Sequence, residues 1–339
     1  MRELTFVEPR LLAWRDVADP RLQGPRDALV RPLAVAACDL DPVIVHGRTP
    51  FAGPFPLGHE FAGEVVEAGP AARVRPGDRV VVPFHISCGD CDRCRRGLTS
   101  SCRTAPPGAM FGMGAIGGNF GGALADLVRV PFADFVCEPV PAGVATTTVA
   151  SASDNIPDAW RATAPYLEET PGASVLIMGG ASSGSIGLYA VDVAVALGSS
   201  TVDYVDTDPR RLEIAQELGA HPVEGPPPRR LGSHPITFDA SSDPAGLACA
   251  LRSTEPGGVC TSAGIYFTET AMPLLDMFAR GVTFRTGRPH VTNDLARILA
   301  LVAEGRLHPD RVTTTIAPWD EAAEALLAHD TGKLVIERA

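Results

Sequence analysis

The sequence predicts an α/β protein in which a β-rich region is followed by a doubly wound parallel sheet. Residues 1–148 contain short β-like runs separated by turns, with little helical periodicity. From about residue 150, apolar strands alternate with helices at the spacing of βαβ units. The 339 residues are enough for about two domains with cores of their own.

The β-rich region shows its strands as apolar and β-branched runs bounded by glycine and proline. A Pro-Gly-Asp turn introduces one of them, and a glycine-rich segment predicts a loop that ends in a strand. These runs cover residues 29–35, 60–69, 75–84 and 112–131.

In the second region each strand is short and apolar, and the helices carry recognisable start and stop residues. We expect strands over 174–180, 201–206, 236–241 and 257–265, and helices over 187–198, 208–220 and 246–254. Helices over 293–305 and 319–330 and a strand over 333–338 follow. The proline-rich residues 221–234 predict a surface loop without a functional role.

Composition excludes several classes of protein. Hydrophobic residues make up 45% and charged residues 20%, which is typical of a globular chain. The formal net charge of −11 and the lack of a basic block argue against a nucleic-acid partner. Residues 175–198 are apolar, but their glycines, serines and Asp192 favour a strand, turn and helix over a membrane span. The charged first residues do not resemble a signal peptide, so we expect a cytoplasmic protein.

Four of the eight cysteines fall within fifteen residues, in the segment CGDCDRCRRGLTSSC. In a cytosolic chain such a cluster favours metal over disulfides. Four thiolates close a tetrahedral zinc site with Zn–S distances of about 2.3 Å and leave no position open for substrate. The segment therefore predicts a structural zinc ion bound by Cys88, Cys91, Cys94 and Cys102.

The first strand of the parallel sheet is followed by GGASSGSIGL, a turn suited to a dinucleotide. Gly184 and Gly187 match the last two glycines of G-x-G-x-x-G, while Ser182 stands where the first would be. Asp206 ends the next strand 19 residues after Gly187. A carboxylate there accepts the adenosine ribose hydroxyls and repels a 2′-phosphate, which favours NAD over NADP. Glycine and serine also make ordinary turns, and Arg211 fits a solvated helix face as well as a cofactor site.

Cys38, His59 and Asp154 offer a thiolate, an imidazole and a carboxylate, with Glu60 beside His59. Three protein ligands leave a fourth position open, as a catalytic zinc ion requires. Taken singly, each has a plainer interpretation: a buried cysteine, a core histidine, or an aspartate that caps a helix.

Together these features resemble the zinc-dependent alcohol dehydrogenases of the medium-chain dehydrogenase/reductase superfamily over nearly the whole chain. The most specific segments are GHEFAGEVVEAG, RPGDRVVV, CGDCDRC, VDYVDTDPRRLEIAQELGA and GKLVIER. The resemblance implies a GroES-like catalytic domain over 1–150 and 288–339, and a Rossmann domain over 151–287. It also implies hydride transfer between an alcohol and NAD, two zinc ions per chain, and a homodimer or homotetramer.

The resemblance assigns residues to each role. The catalytic zinc ligands would be Cys38, His59 and Asp154, with Glu60 as the neighbouring or exchangeable ligand. The cofactor would contact Gly180, Gly184, Ser185, Ile186, Gly187, Asp206, Arg211 and Ile265. The substrate pocket would include Phe84, His85, Phe111, Ile265 and Tyr266, a mostly apolar set that favours a hydrophobic or secondary alcohol.

One position departs from the family pattern. Relatives carry serine or threonine two residues after the first zinc cysteine, to pass the hydroxyl proton outward, and this chain has Leu40. Asp39, His46, His85 or a chain of water molecules are the alternatives, with His85 also a candidate for a catalytic role. Two other functions stay open: a zinc-free quinone or enoyl reductase of the same superfamily, and a non-catalytic dinucleotide-binding protein.

Overall fold

The computed structural model describes residues 1–180 and 182–339, and within them the strands form three sheets. The N-terminal part is rich in strands and short helices. Its strands are β1 (Arg2–Glu8), β2 (Leu11–Asp16), β3 (Ala28–Ala36), β4 (Phe55–Pro56), β5 (Glu60–Ala68), β6 (Arg79–Val82), β7 (Val128–Val130) and β8 (Glu138–Pro139). Its helices are α1 (Asp41–Val45), α2 (Asp92–Arg95), α3 (Ala133–Val136) and α4 (Thr146–Val149), with 3₁₀ turns at Thr99–Ser101 and Ala150–Ser153.

A long helix, α5, then introduces a region of alternating strands and helices. Its elements are α5 (Asn155–Glu169), β9 (Val175–Met178), α6 (Ser185–Ala196), β10 (Val202–Asp206), α7 (Pro209–Glu217), β11 (His221–Glu224), β12 (His234–Asp239), α8 (Pro244–Ser253), β13 (Thr254–Ser262), α9 (Leu274–Arg280) and β14 (Thr283–Thr286). The chain ends with a 3₁₀ turn (Val291–Asn293), α10 (Leu295–Ala303), α11 (Pro309–Val312), β15 (Thr313–Pro318), a 3₁₀ turn (Trp319–Glu321), α12 (Ala322–Ala328) and β16 (Lys333–Glu337).

The alternating region forms one six-stranded sheet in the order β11-β10-β9-β12-β13-β14, with every pair parallel. Strand β9 is buried along its whole length, as expected for the centre of a sheet covered on both faces. The α/β class and the doubly wound parallel sheet are therefore confirmed.

The largest sheet of the β-rich part joins both ends of the sequence. Its order is β15-β16-β3-β5-β6-β8, with β7 added beside β3. The last strand, β16, pairs antiparallel with β3, so the C-terminal segment returns to the region built by the first 150 residues. A smaller sheet, β2-β1-β4, lies beside it.

Two expectations about local structure were wrong. Residues 221–224 are not loop but form β11, which pairs parallel with β10. Pro222 is tolerated there because β11 is an edge strand, where a missing N–H breaks no ladder. Helix α6 begins at Ser185 rather than Gly187, because Gly184 takes the left-handed conformation (φ 73°) and ends the turn.

Across the described ranges, helices are too short or too polar to cross a bilayer.

Candidate active site

Four side chains of metal-binding type meet where three distant segments of the chain converge. Strands β3 and β5 pair antiparallel with Ala36 opposite Glu60. Cys38, just past the end of β3, therefore lies beside His59 and Glu60 at the start of β5. Asp154 immediately precedes α5 and supplies the third segment.

The donor atoms are close enough to share one ion. One atom from each of Cys38, His59, Glu60 and Asp154 lies within 4.8 Å of the others, and all four residues are buried. The Asp154 Oδ2 atom is 3.6 Å from Cys38 Sγ and 3.4 Å from His59 Nε2. Ligands of a tetrahedral zinc ion, bound at about 2.0–2.3 Å, stand about 3.3–3.8 Å apart. The geometry suits an ion of that size.

A second layer of polar groups orients these side chains. The carboxylate of Asp41 accepts a hydrogen bond from the Cys38 amide at 2.8 Å, and its other oxygen lies 4.0 Å from His59 Nδ1. The side-chain amide of Asn155 donates to Cys38 Sγ at 3.3 Å. Such outer partners fix the rotamer and tautomer of metal ligands.

Glu60 has a buried cationic partner. Lys333 Nζ lies 2.9 Å from Glu60 Oε2 and also donates to Asn155 Oδ1 at 2.6 Å. Both side chains of the ion pair are completely buried. The last strand thus brings a positive charge against the donor cluster.

The protonation behaviour of the cluster reflects crowded negative charge. Burial disfavours the imidazolium of His59, but the carboxylates of Asp41 and Asp154 outweigh burial and raise the pKa of His59 to about 9. Burial raises the pKa of Glu60, although the charge of Lys333 opposes this. A divalent cation is the charge that would relieve such a set of donors.

The four clustered cysteines lie on one lobe built around α2. Their sulfur atoms lie within 4.8 Å of one another, with Cys91 and Cys102 4.0 Å apart. Cys91 occupies the N-cap of α2 and its sulfur accepts hydrogen bonds from the amides of Cys94 and Arg103, both at 3.4 Å. The Arg103 and Cys94 amides lower the pKa of Cys91 to about 6, which favours the thiolate that zinc binds. Cys88 and Cys102 complete the set.

The donor cluster opens into a cleft of about 700 Å³ between the two large sheets. Ala240, Ser241 and Ser262 line one side, at the carboxyl ends of β12 and β13. Ligands bind at this edge of parallel α/β sheets. Cys38, His59, Asp154, Leu40, Val43, Phe84 and Met110 line the other side.

The glycine turn after β9 adopts the conformations that its sequence suggests. Gly180 and Gly184 have φ angles of 104° and 73°, and Ser182 takes a positive φ of 45° where a glycine was expected. A Cβ on Gly187 would stand 3.2 Å from the ring of Tyr204, so this glycine lets α6 pack closely on the sheet. The α6 amides suit an anion, and those of Ser185 and Ile186 already hold the carboxylate of Asp39.

Asp206 lies at the end of β10 as expected, but its carboxylate is fully bonded within the chain. Arg211 Nε and Nη2 donate to its two oxygens at 2.9 and 2.8 Å, and the Tyr204 hydroxyl donates at 2.7 Å. The amides of Thr207 and Asp208 donate at 2.7 and 2.9 Å. The solvated position considered for Arg211 is wrong, because this side chain is buried against Asp206.

The remaining predicted residues divide between the cleft and the core. Phe84 and Ile265 line the cleft, whereas Phe111 packs in the core and the Tyr266 hydroxyl donates to Asp239. His85 is buried outside the cleft lining, paired by a backbone bridge to Met110. Burial, followed by the nearby charges of Arg288 and His290, lowers the pKa of His85 to about 3. His46 also lies outside the lining, and Leu40 lies within it.

Known proteins resemble this chain over most of its length. The family described as "Alcohol dehydrogenase GroES-like domain" matches residues 24–142. A probable zinc-binding alcohol dehydrogenase of Mycobacterium tuberculosis is 33% identical over 90% of this chain and 79% of its own length. A medium chain reductase/dehydrogenase of Acremonium is 33% identical over 80% of this chain and 96% of its own length.

A solved structure agrees along the full length. The alcohol dehydrogenase TADH from Thermus sp. ATN1 is 33% identical, covers 100% of both chains and superposes with a TM-score of 0.90. The chain belongs to the zinc-binding alcohol dehydrogenase family. The predicted resemblance, the GroES-like and Rossmann fold, and an oxidoreductase activity on alcohols are confirmed.

Sequence reasoning missed several residues that shape the site of this alcohol dehydrogenase. Asp41 and Asn155 each stand within three residues of a predicted zinc ligand, so that spacing was the available signal. Lys333 is distant in sequence from the cluster, but it is the only lysine in the chain. A lone lysine among arginines, on an apolar final strand, could have marked a buried role.

Proposed function

We propose that this alcohol dehydrogenase interconverts an alcohol with its aldehyde or ketone, using NAD and a zinc ion at the donor cluster. The observation that carries the proposal is the meeting of Cys38, His59, Glu60 and Asp154 at the inner end of the cleft. A cofactor at the carboxyl edge of the parallel sheet would then face a metal-bound substrate.

The donor set fits a catalytic zinc ion. Cys38, His59 and Asp154 would hold the ion, Glu60 would stand as the adjacent ligand, and Lys333 would balance the charge of Glu60. When bound, zinc supplies a Lewis acid that lowers the pKa of an alcohol oxygen. A zinc-free reductase would instead bury Cys38 and Asp154 with only the charge of Lys333, which already balances Glu60, and such burial is costly. The cysteine lobe supports a second, structural zinc ion.

The start of α6 fits a dinucleotide, since the amides of Ser185 and Ile186 already bind an anion, the Asp39 carboxylate. The predicted contacts are Gly180 and Gly184 on the turn, Ser185, Ile186 and Gly187 at the start of α6, and Ile265 across the cleft. Asp206 at the end of β10 supports NAD over NADP, because the charge of Arg211 is neutralised by Asp206 and Asp208.

The cleft lining favours an apolar substrate body, because Leu40, Val43, Phe84 and Met110 surround its metal end. A secondary or hydrophobic alcohol fits this lining. Leu40 carries no hydroxyl, and His46 and His85 lie outside the cleft lining, so we assign the path of the substrate proton to water in the cleft.

The proposal extends to the whole chain. We retain 1–150 with 288–339 as the catalytic domain and 151–287 as the Rossmann domain. The eight cysteines, which form no disulfide within the described residues, support a reducing, cytoplasmic location. Strand β14 is a sheet edge, and Leu274, Leu275 and Phe278 of the adjoining α9 are exposed. These features support association of two copies along that edge.

The test is a kinetic assay with matched cofactors and metals. NADH formation is followed with a series of primary and secondary alcohols, with NAD or NADP, before and after removal of metal by a chelator. We expect NAD-linked turnover that disappears with the metal and returns with zinc. Turnover of quinones or enones that survives metal removal would instead support the zinc-free reductase.

A further inference from the structure

Asp39 makes a contact that the proposed function does not use. It follows the zinc ligand Cys38, yet its side chain points away from the donor cluster and reaches the start of α6. One oxygen accepts hydrogen bonds from the Ser183 hydroxyl (2.7 Å), the Ser185 hydroxyl (2.6 Å) and the Ser185 amide (3.0 Å). The other accepts from the Ile186 amide at 3.0 Å. These hydroxyl and amide donors of Ser183, Ser185 and Ile186 form a cradle, and the carboxylate is buried in it.

The same cradle is where a dinucleotide needs its donors. In doubly wound sheets the pyrophosphate binds at the N-terminus of the helix that follows the first strand, through the free amides of the first turn. Helix α6 follows the central strand β9, and Asp39 holds its first two amides. A carboxylate and a pyrophosphate cannot accept from the same N–H groups, and their like charges repel.

We propose that Asp39 is an internal anion that fills the pyrophosphate cradle of the free enzyme. The dinucleotide then binds only when the Asp39 side chain leaves, and Asp39 sets the affinity for the cofactor. The inference rests on the proposed use of a nicotinamide dinucleotide. Since Asp39 adjoins Cys38, cofactor binding also rearranges the loop that carries a zinc ligand.

The test compares cofactor affinity, not turnover. NADH and ADP-ribose are titrated against the wild type and Asp39→Asn by fluorescence and calorimetry, with adenosine as a ligand that lacks the diphosphate. Asp320→Asn is the matched control, since it removes the same charge at an exposed site paired with Arg2. We expect Asp39→Asn to bind NADH and ADP-ribose about tenfold more tightly or better, with adenosine and Asp320→Asn unaffected.

Equal or weaker binding of NADH by Asp39→Asn would overturn the inference, since Asp39 would then only support the cradle. Asp39→Ser, which shortens the side chain, gives the same comparison if the first variant folds poorly. Failure of the wild type and of both variants to bind any dinucleotide would count against the proposed function, and the inference would fall with it.

A second, independent observation concerns the substrate. Arg288 lines the cleft with its guanidinium 4.9 Å from the centre of the Phe84 ring and one nitrogen 3.2 Å from Met110 Sδ. Among the residues that the structure describes, it forms no ion pair with a carboxylate. Arg48, which is exposed, lines the same cleft. Two guanidinium groups therefore face a cavity that is apolar at Leu40, Val43, Phe84 and Met110, and whose carboxylates include Asp154 and Asp158.

We infer that the substrate combines an apolar body with an anionic group, a carboxylate or a phosphate, bound by Arg288. A guanidinium presents paired donors that match both groups. This inference rests on the proposed function, and it narrows the substrate of the same site to alcohols that carry an anionic group. It predicts that an ω-hydroxy carboxylate is a better substrate than the alkanol of equal length.

The experiment measures the ratio of kcat/KM for such matched pairs, with phosphorylated alcohols as a separate arm that tells phosphate from carboxylate. Arg288→Met is compared with Arg297→Met, because Arg297 also stacks on an aromatic ring, Trp160, outside the cleft. We expect the wild type to prefer an anionic alcohol and Arg288→Met to lose about tenfold or more of that preference. A preference for neutral alcohols, or one unchanged in Arg288→Met, would overturn the inference. No turnover of any alcohol would count against the proposed function itself.

Discussion

At the scale of single residues, the site depends on charges buried far from water. Lys333 and Glu60 form a completely buried ion pair, and Asn155 links Lys333 to the Cys38 thiol. Cys38, His59 and Asp154 could be predicted as metal ligands, because they match the ligand pattern of the family. The contact of Lys333 with Glu60 could not be predicted, because it depends on β16 returning beside β3, a pairing that sequence spacing does not encode.

The buried pair gives a stability prediction. Lys333→Met should lower the free energy of unfolding by about 3–5 kcal/mol, because it leaves the Glu60 carboxylate buried without its partner. The double variant Lys333→Met/Glu60→Gln should lose clearly less than the two single variants together, as denaturant unfolding would measure. Additive losses would show that the two groups are not coupled.

At the scale of elements, strong local signals gave reliable predictions and weak ones did not. The alternation of strands and helices from residue 150 predicted the parallel sheet, because each strand must be buried on both faces. Strand β11 was missed, since its proline-rich segment has no strand pattern and is held by pairing with β10.

Helix α6 also carries a buried acid, Asp192, which accepts a hydrogen bond from the His308 amide at 2.7 Å.

Asp192 gives a prediction about pH. Burial raises the pKa of Asp192 from 3.8 to about 6 in the folded state, although the His308 amide opposes this. The folded state therefore binds more protons than the unfolded one between these values, so this residue's contribution to stability falls as pH rises from about 4 to 6. Asp192→Asn keeps an acceptor for His308 and should raise the unfolding free energy at pH 7 by about 2 kcal/mol.

The gain of Asp192→Asn over the wild type should shrink toward zero near pH 4, as paired thermal unfolding at each pH would measure. A gain independent of pH would mean that the effect is one of packing rather than of charge.

At the scale of the whole molecule, the function depends on two sheets facing one cleft. The donor cluster comes from the β-rich part and the glycine turn from the parallel sheet, and Asp39 joins the two. Sequence patterns could predict each part but not this contact, because it forms only when the two parts pack together. The same holds for Asp206, whose position was predicted while its bonding to Arg211 was not.

The exposed edge of the parallel sheet predicts assembly. Phe278 is 86% exposed and Leu275 81% exposed on α9, beside β14. If copies associate along this edge as proposed, Phe278→Glu should give a smaller mass than the wild type in light scattering coupled to size exclusion. Glu269→Gln, on the exposed segment before α9, is the control. A wild-type monomer, or an unchanged mass in Phe278→Glu, would contradict assembly through this face.

The most direct test of the central claim is the zinc content per chain of the purified protein and of two variants. We expect two zinc ions in the wild type and one in Cys38→Ser, with alcohol oxidation lost. We also expect one zinc ion in Cys94→Ala, with a lower unfolding temperature. Full zinc content in Cys38→Ser together with unchanged turnover would contradict a catalytic zinc ion at the donor cluster.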